Sequence, residues 1–167
     1  GGLECAHSFR LAQGTPAMAN ARGYDDLIMD HIRNARGYGV PEASTHRANG
    51  INSLCGDEMT VYAALDGERI ANIAYQCSCC GISMASASMM SEYLRDRDRR
   101  DIEAEIDAFA NALLRHAEPP DAAADPMRHA LLKTVRDLPA RTPCAALPWA
   151  ILSAALKGQT DTVSVRV

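Results

Sequence analysis

From Met59 the chain alternates apolar and polar positions through Met59, Val61, Ala63 and Leu65, the period of a half-buried strand. Asp66-Gly67 follows, a strong hairpin signal, and Ile70, Ile73 and Tyr75 mark a return strand from Arg69 to about Gln76. The polar stretch 42–54 has room for one more strand near its middle. A helical period precedes this region, with Leu27, Ile28, His31 and Ile32 following Asp25-Asp26 and a stop expected at Gly37. After Gly81 the pattern turns helical throughout. Helices are predicted over Ile82 to Arg95, Asp101 to His116, Pro126 to about Arg136, and from Ala145 or Pro148 to Lys157. Between the first two of these, the run from Arg95 to Asp101 reads as a solvated mixed-charge face.

These elements predict an α+β fold, a small antiparallel β-sheet of about three strands packed against several α-helices. Residues 20–158 form the expected single domain, and 159–167 a C-terminal tail. Residues 1–19 lack any period and read as a flexible extension or as residues foreign to the natural chain, with Met18 fitting a native start. Cys5 and His7 are accordingly expected to be peripheral.

Composition narrows the class. The 167 residues are 47% hydrophobic and 23% charged, enough for a sizeable core, and no apolar run reaches the length of a membrane span. The net charge of −4 makes nucleic acid and anionic lipid poor partners. Lys133 and Lys157 are the two lysines, and neither follows a glycine, which excludes a phosphate-binding GxxxxGK[ST] loop.

Six cysteines then need an explanation: Cys5, Cys55, Cys77, Cys79, Cys80 and Cys144. A chain this large does not need disulfide staples, and no secretory leader pattern opens it. Clustered thiols in a reduced, cytoplasmic chain point to metal binding or sulfur chemistry. Cys55, Cys80 and Cys144 fall at predicted junctions, two of them ahead of helix N-termini, where thiolate is favoured over thiol. Asp57 adds a carboxylate, and Gly56 lets the backbone turn both side chains inward. Three sulfurs and a carboxylate suit tetrahedral zinc or an iron–sulfur cluster.

The string Cys80-Gly81-Ile82-Ser83-Met84-Ala85-Ser86-Ala87-Ser88-Met89-Met90 resembles the signature of the U-type iron–sulfur cluster assembly scaffolds, the SufU, IscU and NifU N-terminal family. Three further segments agree in order. They are Leu27 to Arg36, Cys55-Gly56-Asp57, and Pro139 to Cys144 followed by Leu147-Pro148-Trp149. The long spacing between Cys80 and Cys144 is SufU-like. Pro143 stands where IscU proteins carry histidine and many SufU-like proteins lysine. Leu138-Pro139-Ala140-Arg141 replaces the chaperone-read segment of IscU.

The resemblance implies Cys55, Asp57, Cys80 and Cys144 as ligands of Zn2+, with Cys55 accepting persulfide sulfur from a PLP-dependent, SufS-like cysteine desulfurase. Asp57 would tune the metal. The alternative is a scaffold that assembles a [2Fe–2S] cluster on the same ligands and passes it to apo-proteins or assembly factors. A third reading is a structural zinc domain for protein binding. Family members usually have glycines where this chain has Cys77 and Cys79. The pair reads either as extra ligands, a second metal site or a persulfide relay, or plainly as a strand end and a small buried residue. His31, His46, His116, His129 and the Met84, Met89 and Met90 set read as packing residues, and Arg141 as a surface or docking residue.

Overall fold

The computed structural model describes residues 25–121 and 124–165. Its elements are α1 (Asp26–Arg33), β1 (His46–Asn52), β2 (Asp57–Asp66), β3 (Arg69–Ser78), α2 (Gly81–Leu94), α3 (Arg99–Leu114), α4 (Pro126–Asp137), α5 (Thr142–Leu156) and β4 (Val163–Ser164). The predicted extension with Cys5 and His7 lies outside the described residues.

The hairpin forms as its pattern predicts. β2 and β3 pair antiparallel from Glu58↔Ser78 to Asp66↔Arg69, and β1 pairs antiparallel with β2 from His46↔Ala63 to Asn52↔Asp57. The sheet gains a fourth strand at the position expected to be a tail. β4 runs parallel to β1 through Gly50↔Val163, giving the order β3-β2-β1-β4. Two residues are too few to show alternation. Even so, β4 covers the open edge of β1, with the Val165 amide reaching the Ile51 carbonyl at 3.3 Å and Val165 buried.

One face of this sheet is covered by α5, which packs on β1 and β2, while α2 packs against α5, α1 and β3. Both α2 and α5 are buried on nearly all sides, which is why neither shows an amphipathic stripe. Gly50 marks the closest approach. A Cβ there would collide with Ile151 Cγ1 and come within 2.5 Å of its Cδ1. α3 packs on the far side of α5, with Phe109 edge-on to Trp149 at 4.6 Å between ring centroids.

Three boundaries differ from the predicted ones for physical reasons. α1 is capped by the Asp25 carboxylate on the Ile28 amide at 3.0 Å, but it stops at Arg33 rather than near Gly37. Gly37, at φ +77°, serves the following turn, where a Cβ would meet the Ile73 carbonyl and Ser91. The charged run 95–101 is not simply a solvated face. It pairs with the edge of β3, where the Ile70 amide donates to Arg97 and the Asp96 amide to Ile70. Finally, α5 begins at Thr142, so Cys144 lies in its first turn instead of ahead of it. Pro143 suits that first turn, and Pro148 is carried inside the helix.

Candidate metal and sulfur centre

The loop 53–56 joins β1 to β2 at the end of the sheet where α2 and α5 also begin. Asn52, fully buried, closes β1 and shapes this loop. Its side-chain oxygen accepts the Leu54 amide at 3.2 Å, and its carbonyl accepts the Gly56 amide at 2.9 Å. Gly56 takes φ +74°, a left-handed conformation that glycine adopts without steric cost. The result turns Cys55 back over Asp57, the first residue of β2.

Cys55, Asp57 and Cys144 each offer a ligand atom, and all three atoms lie within 4.8 Å of one another. The Cys55 thiol donates to Asp57 Oδ2 at 3.1 Å and stands 3.6 Å from Cys144 Sγ. A tetrahedral zinc with bonds to sulfur of ~2.3 Å separates its sulfurs by roughly 3.7 Å, so this spacing suits such an ion. Cys80 is not part of that tight group. It is the N-cap of α2, its amide donates to Asp57 Oδ1 at 3.0 Å, and its sulfur lies 3.7 Å from Ser83 Oγ. Exposure is graded, with Cys55 exposed, Cys80 half-buried and Cys144 buried.

The protonation states reflect the crowding. A hydrogen bond from the Cys144 thiol lowers Cys80 to about 6, and the same contact, with burial, pushes Cys144 up. Burial and the hydrogen bond to the Asp57 carboxylate push Cys55 up as well. Burial and shared hydrogen bonds keep protons on Cys55 and Cys144 beside the more acidic Cys80. A dication would displace those protons, and the residues fit a zinc ion.

Two residues missed in the sequence complete the centre. The Asn52 side-chain amide donates to Cys55 Sγ at 2.9 Å and lies 3.7 Å from Cys144 Sγ. The Ser83 hydroxyl lies 2.9 Å from Asp57 Oδ2 and 3.0 Å from the Cys144 carbonyl, two acceptors for one proton. Ser83 carries a signal, since it stands three residues after Cys80 on the same helix face. Asn52 carries one too, as an asparagine opening a turn three residues before Cys55.

Cys77 stands next to last in β3 and Cys79 just beyond it, both partly buried. They are joined in a disulfide, with Cα atoms 5.5 Å apart, which also corrects the expectation that the chain would hold no such bond. Chain size bears on the stapling of distant segments and does not reach a bond across a single residue. The histidines have packing partners: His31 bonds Ser88, His46 Thr45, His116 Thr142 and His129 the Pro120 carbonyl. Arg141 ends a 3-10 turn (Pro139–Arg141) directly ahead of α5.

The NifU-like N terminal domain family matches residues 23–158, most of the chain. The chain belongs to that family. It is 32% identical over 129 residues to the zinc-dependent sulfurtransferase SufU of Bacillus subtilis (strain 168), covering 77% of this chain and 86% of that protein. The iron-sulfur cluster assembly scaffold protein IscU of Thermotoga maritima is 28% identical over 134 residues, covering 80% of this chain and 92% of that protein. Among solved structures, a protein from Fervidobacterium islandicum AW-1, described as an iron-sulfur cluster assembly scaffold for the SUF system, superposes with a TM-score of 0.68. It is 30% identical and covers 80% of this chain and 96% of its own. The N-terminal part of a nitrogen-fixing NifU-like protein from Brucella abortus, 20% identical, shares the fold with a TM-score of 0.64, covering 80% of this chain and 92% of its own. The chain is thus a member of the iron–sulfur cluster assembly scaffold and SufU family, with a candidate cysteine and aspartate metal site. Among the described residues no helix is long and apolar enough to cross a membrane.

Proposed function

We propose that this chain accepts persulfide sulfur from a PLP-dependent cysteine desulfurase on Cys55, at a zinc site made by Cys55, Asp57, Cys80 and Cys144. The observation that carries the reading is the graded exposure of the three thiols around one carboxylate. Cys55 alone of them is exposed, on a short loop, while Cys144 and Asp57 stay buried beneath it. Such a site keeps two sulfurs fixed and presents the third to a partner. Zinc, when bound, holds these thiols in the thiolate form at neutral pH.

The step itself is a thiol–disulfide type exchange. The Cys55 thiolate attacks the terminal sulfur of the desulfurase persulfide, a new S–S bond forms on Cys55, and the desulfurase cysteine leaves as its thiolate. Asn52 donates a hydrogen bond to Cys55 Sγ, so it supports the anionic sulfur before attack. Leu54, exposed beside Cys55, gives the partner an apolar contact at the point of transfer. Downstream, the sulfur passes to iron–sulfur apo-proteins or assembly factors.

The assembly of a [2Fe–2S] cluster on the same ligands is the second reading, favoured by the IscU scaffolds among the relatives. Metal analysis with absorption spectroscopy on protein purified without oxygen separates the two. One tightly bound zinc and no visible band supports sulfur transfer, whereas a brown protein holding iron and acid-labile sulfide overturns it. Cys55→Ala tests the acceptor. Stimulation of alanine release by the desulfurase should be lost, and its survival removes Cys55 from the role.

A further inference from the structure

We propose that Cys77 and Cys79 form a reducing dithiol that discharges sulfane sulfur from Cys55 as hydrosulfide and closes to a disulfide in doing so. This rests on Cys55 being the persulfide acceptor. The register places the pair beside the centre. Met59 faces Cys77 and Glu58 faces Ser78, so Asp57 and Cys79 are the next positions on two neighbouring chains. Met59 and Asp57 are both buried on the helix-covered side of β2, the side that Cys77 shares across the ladder. Adjacent strands lie ~4.8 Å apart. Cys79 stands one residue beyond the ladder and next along the chain to Cys80, whose amide donates to Asp57 Oδ1 at 3.0 Å, and Asp57 in turn accepts the Cys55 thiol at 3.1 Å.

The disulfide has no evident stapling purpose. It closes a loop of three residues, the kind that restrains an unfolded chain least, in a protein whose core already runs through all its helices and strands. Both cysteines are only partly buried. Two thiols able to bond one another, next to a sulfur acceptor and open to solvent, are equipped for two-electron chemistry.

The electrons balance in two displacements. The Cys79 thiolate attacks the terminal sulfur of the Cys55 persulfide, the S–S bond on Cys55 breaks, and Cys55 leaves as thiolate. Cys77 then attacks Cys79 Sγ, its proton passes to the departing sulfur, and hydrosulfide leaves. The sulfane sulfur gains two electrons, and the two thiols lose two in forming the Cys77–Cys79 bond. An external dithiol reductant, reaching the partly buried pair, restores it for another cycle.

The test uses the whole chain, reduced and then freed of reductant under anaerobic conditions. A PLP-dependent cysteine desulfurase and L-cysteine load it, and the loading enzyme is removed. Sulfide is assayed, and peptide masses report each cysteine. The wild-type chain should release about one equivalent of sulfide and lose about 2 Da across Cys77 and Cys79, by the exchange stoichiometry. The Cys77→Ser/Cys79→Ser chain should release almost none and keep about 32 Da on Cys55, one sulfur atom. Cys77→Ser alone should hold that sulfur on Cys79, because the resolving thiol is gone. Loading of Cys55 followed by equal retention in wild type and double variant overturns this inference alone. Absence of added mass on Cys55 in both chains overturns the persulfide reading and this inference together.

Discussion

The hydroxyl of Ser83 stands 3.0 Å from the carbonyl of Cys144, an acceptor that Pro148 leaves without its helical donor. In an α-helix the amide four residues on would bond that carbonyl, and proline has no amide hydrogen. A serine on α2 thereby ties down the turn of α5 that carries Cys144. Ser83→Ala should destabilise the fold by about 1–3 kcal/mol, the cost of a buried acceptor left unpaired. Pro148→Ala restores a helical donor, so the same Ser83→Ala change should cost less in that background. Urea unfolding midpoints of the four chains check this, and equal costs in both backgrounds would rule out the shared carbonyl.

Asn52 acts on the sulfurs rather than on the helix. Its amide donates to Cys55 Sγ at 2.9 Å and its oxygen holds the Leu54 amide, so one side chain sets both the loop and the electrostatics of the thiol. Asn52→Ala should weaken zinc binding by roughly 10–100-fold while leaving all four proposed ligands in place. Competition against a chromophoric chelator measures it, and unchanged affinity would confine Asn52 to shaping the loop.

How far the sequence reveals the molecule depends on which signal each element carries. The β2–β3 hairpin is legible because alternation and Asp66-Gly67 agree, and its ends fall within about two residues. Cys55, Asp57 and Cys144 can be named because thiols are rare and the four family-like segments stand in order. The start of α5 is easily misread because Pro143 and Pro148 look like breakers, whereas the first accompanies the first turn and the second is compensated by Ser83 on another helix. β4 and the edge pairing of 95–101 are backbone relationships, which side-chain patterns do not encode. Asn52 and Ser83 are common polar residues whose roles exist only once distant segments meet.

Gly50 offers a test of the packing that holds the centre's two main supports together. It lies on β1 under α5, and an added Cβ would overlap Ile151 and approach Leu147 Cδ1 at 3.2 Å. Gly50→Ala should cost about 1–3 kcal/mol through overpacking. Ile151→Ala removes the atoms it strikes, and although it leaves a cavity of its own, the double variant should be more stable than the summed costs imply. Strict additivity in thermal or urea unfolding would mean that β1 shifts away from the helix instead.

His31 should make the fold sensitive to mild acid. It is buried in α1, with Nδ1 2.7 Å from Ser88 Oγ. That oxygen also accepts the Arg36 amide at 2.8 Å, so the Ser88 proton is free to reach His31 Nδ1 and favours the neutral ring. Burial first, and then the charge of Arg36, hold His31 below its ordinary 6.5, against the opposing pull of Glu92 and Asp30. The unfolded chain therefore binds a proton more readily than the folded one. The contribution of His31 to stability is fully present above about pH 6.5, declines as pH falls from there to the folded pKa, and is flat below it. In His31→Gln, an uncharged residue that can still accept from Ser88, the drop in urea midpoint between about pH 7.5 and 5.5, which brackets the ordinary histidine range, should shrink. The other histidines are the same in both chains and cancel in the comparison. Glu92→Gln removes an influence that raises the His31 pKa and should enlarge the drop, so opposite changes in the two variants are the expected signature. An identical pH dependence in wild type and His31→Gln would place the acid sensitivity elsewhere.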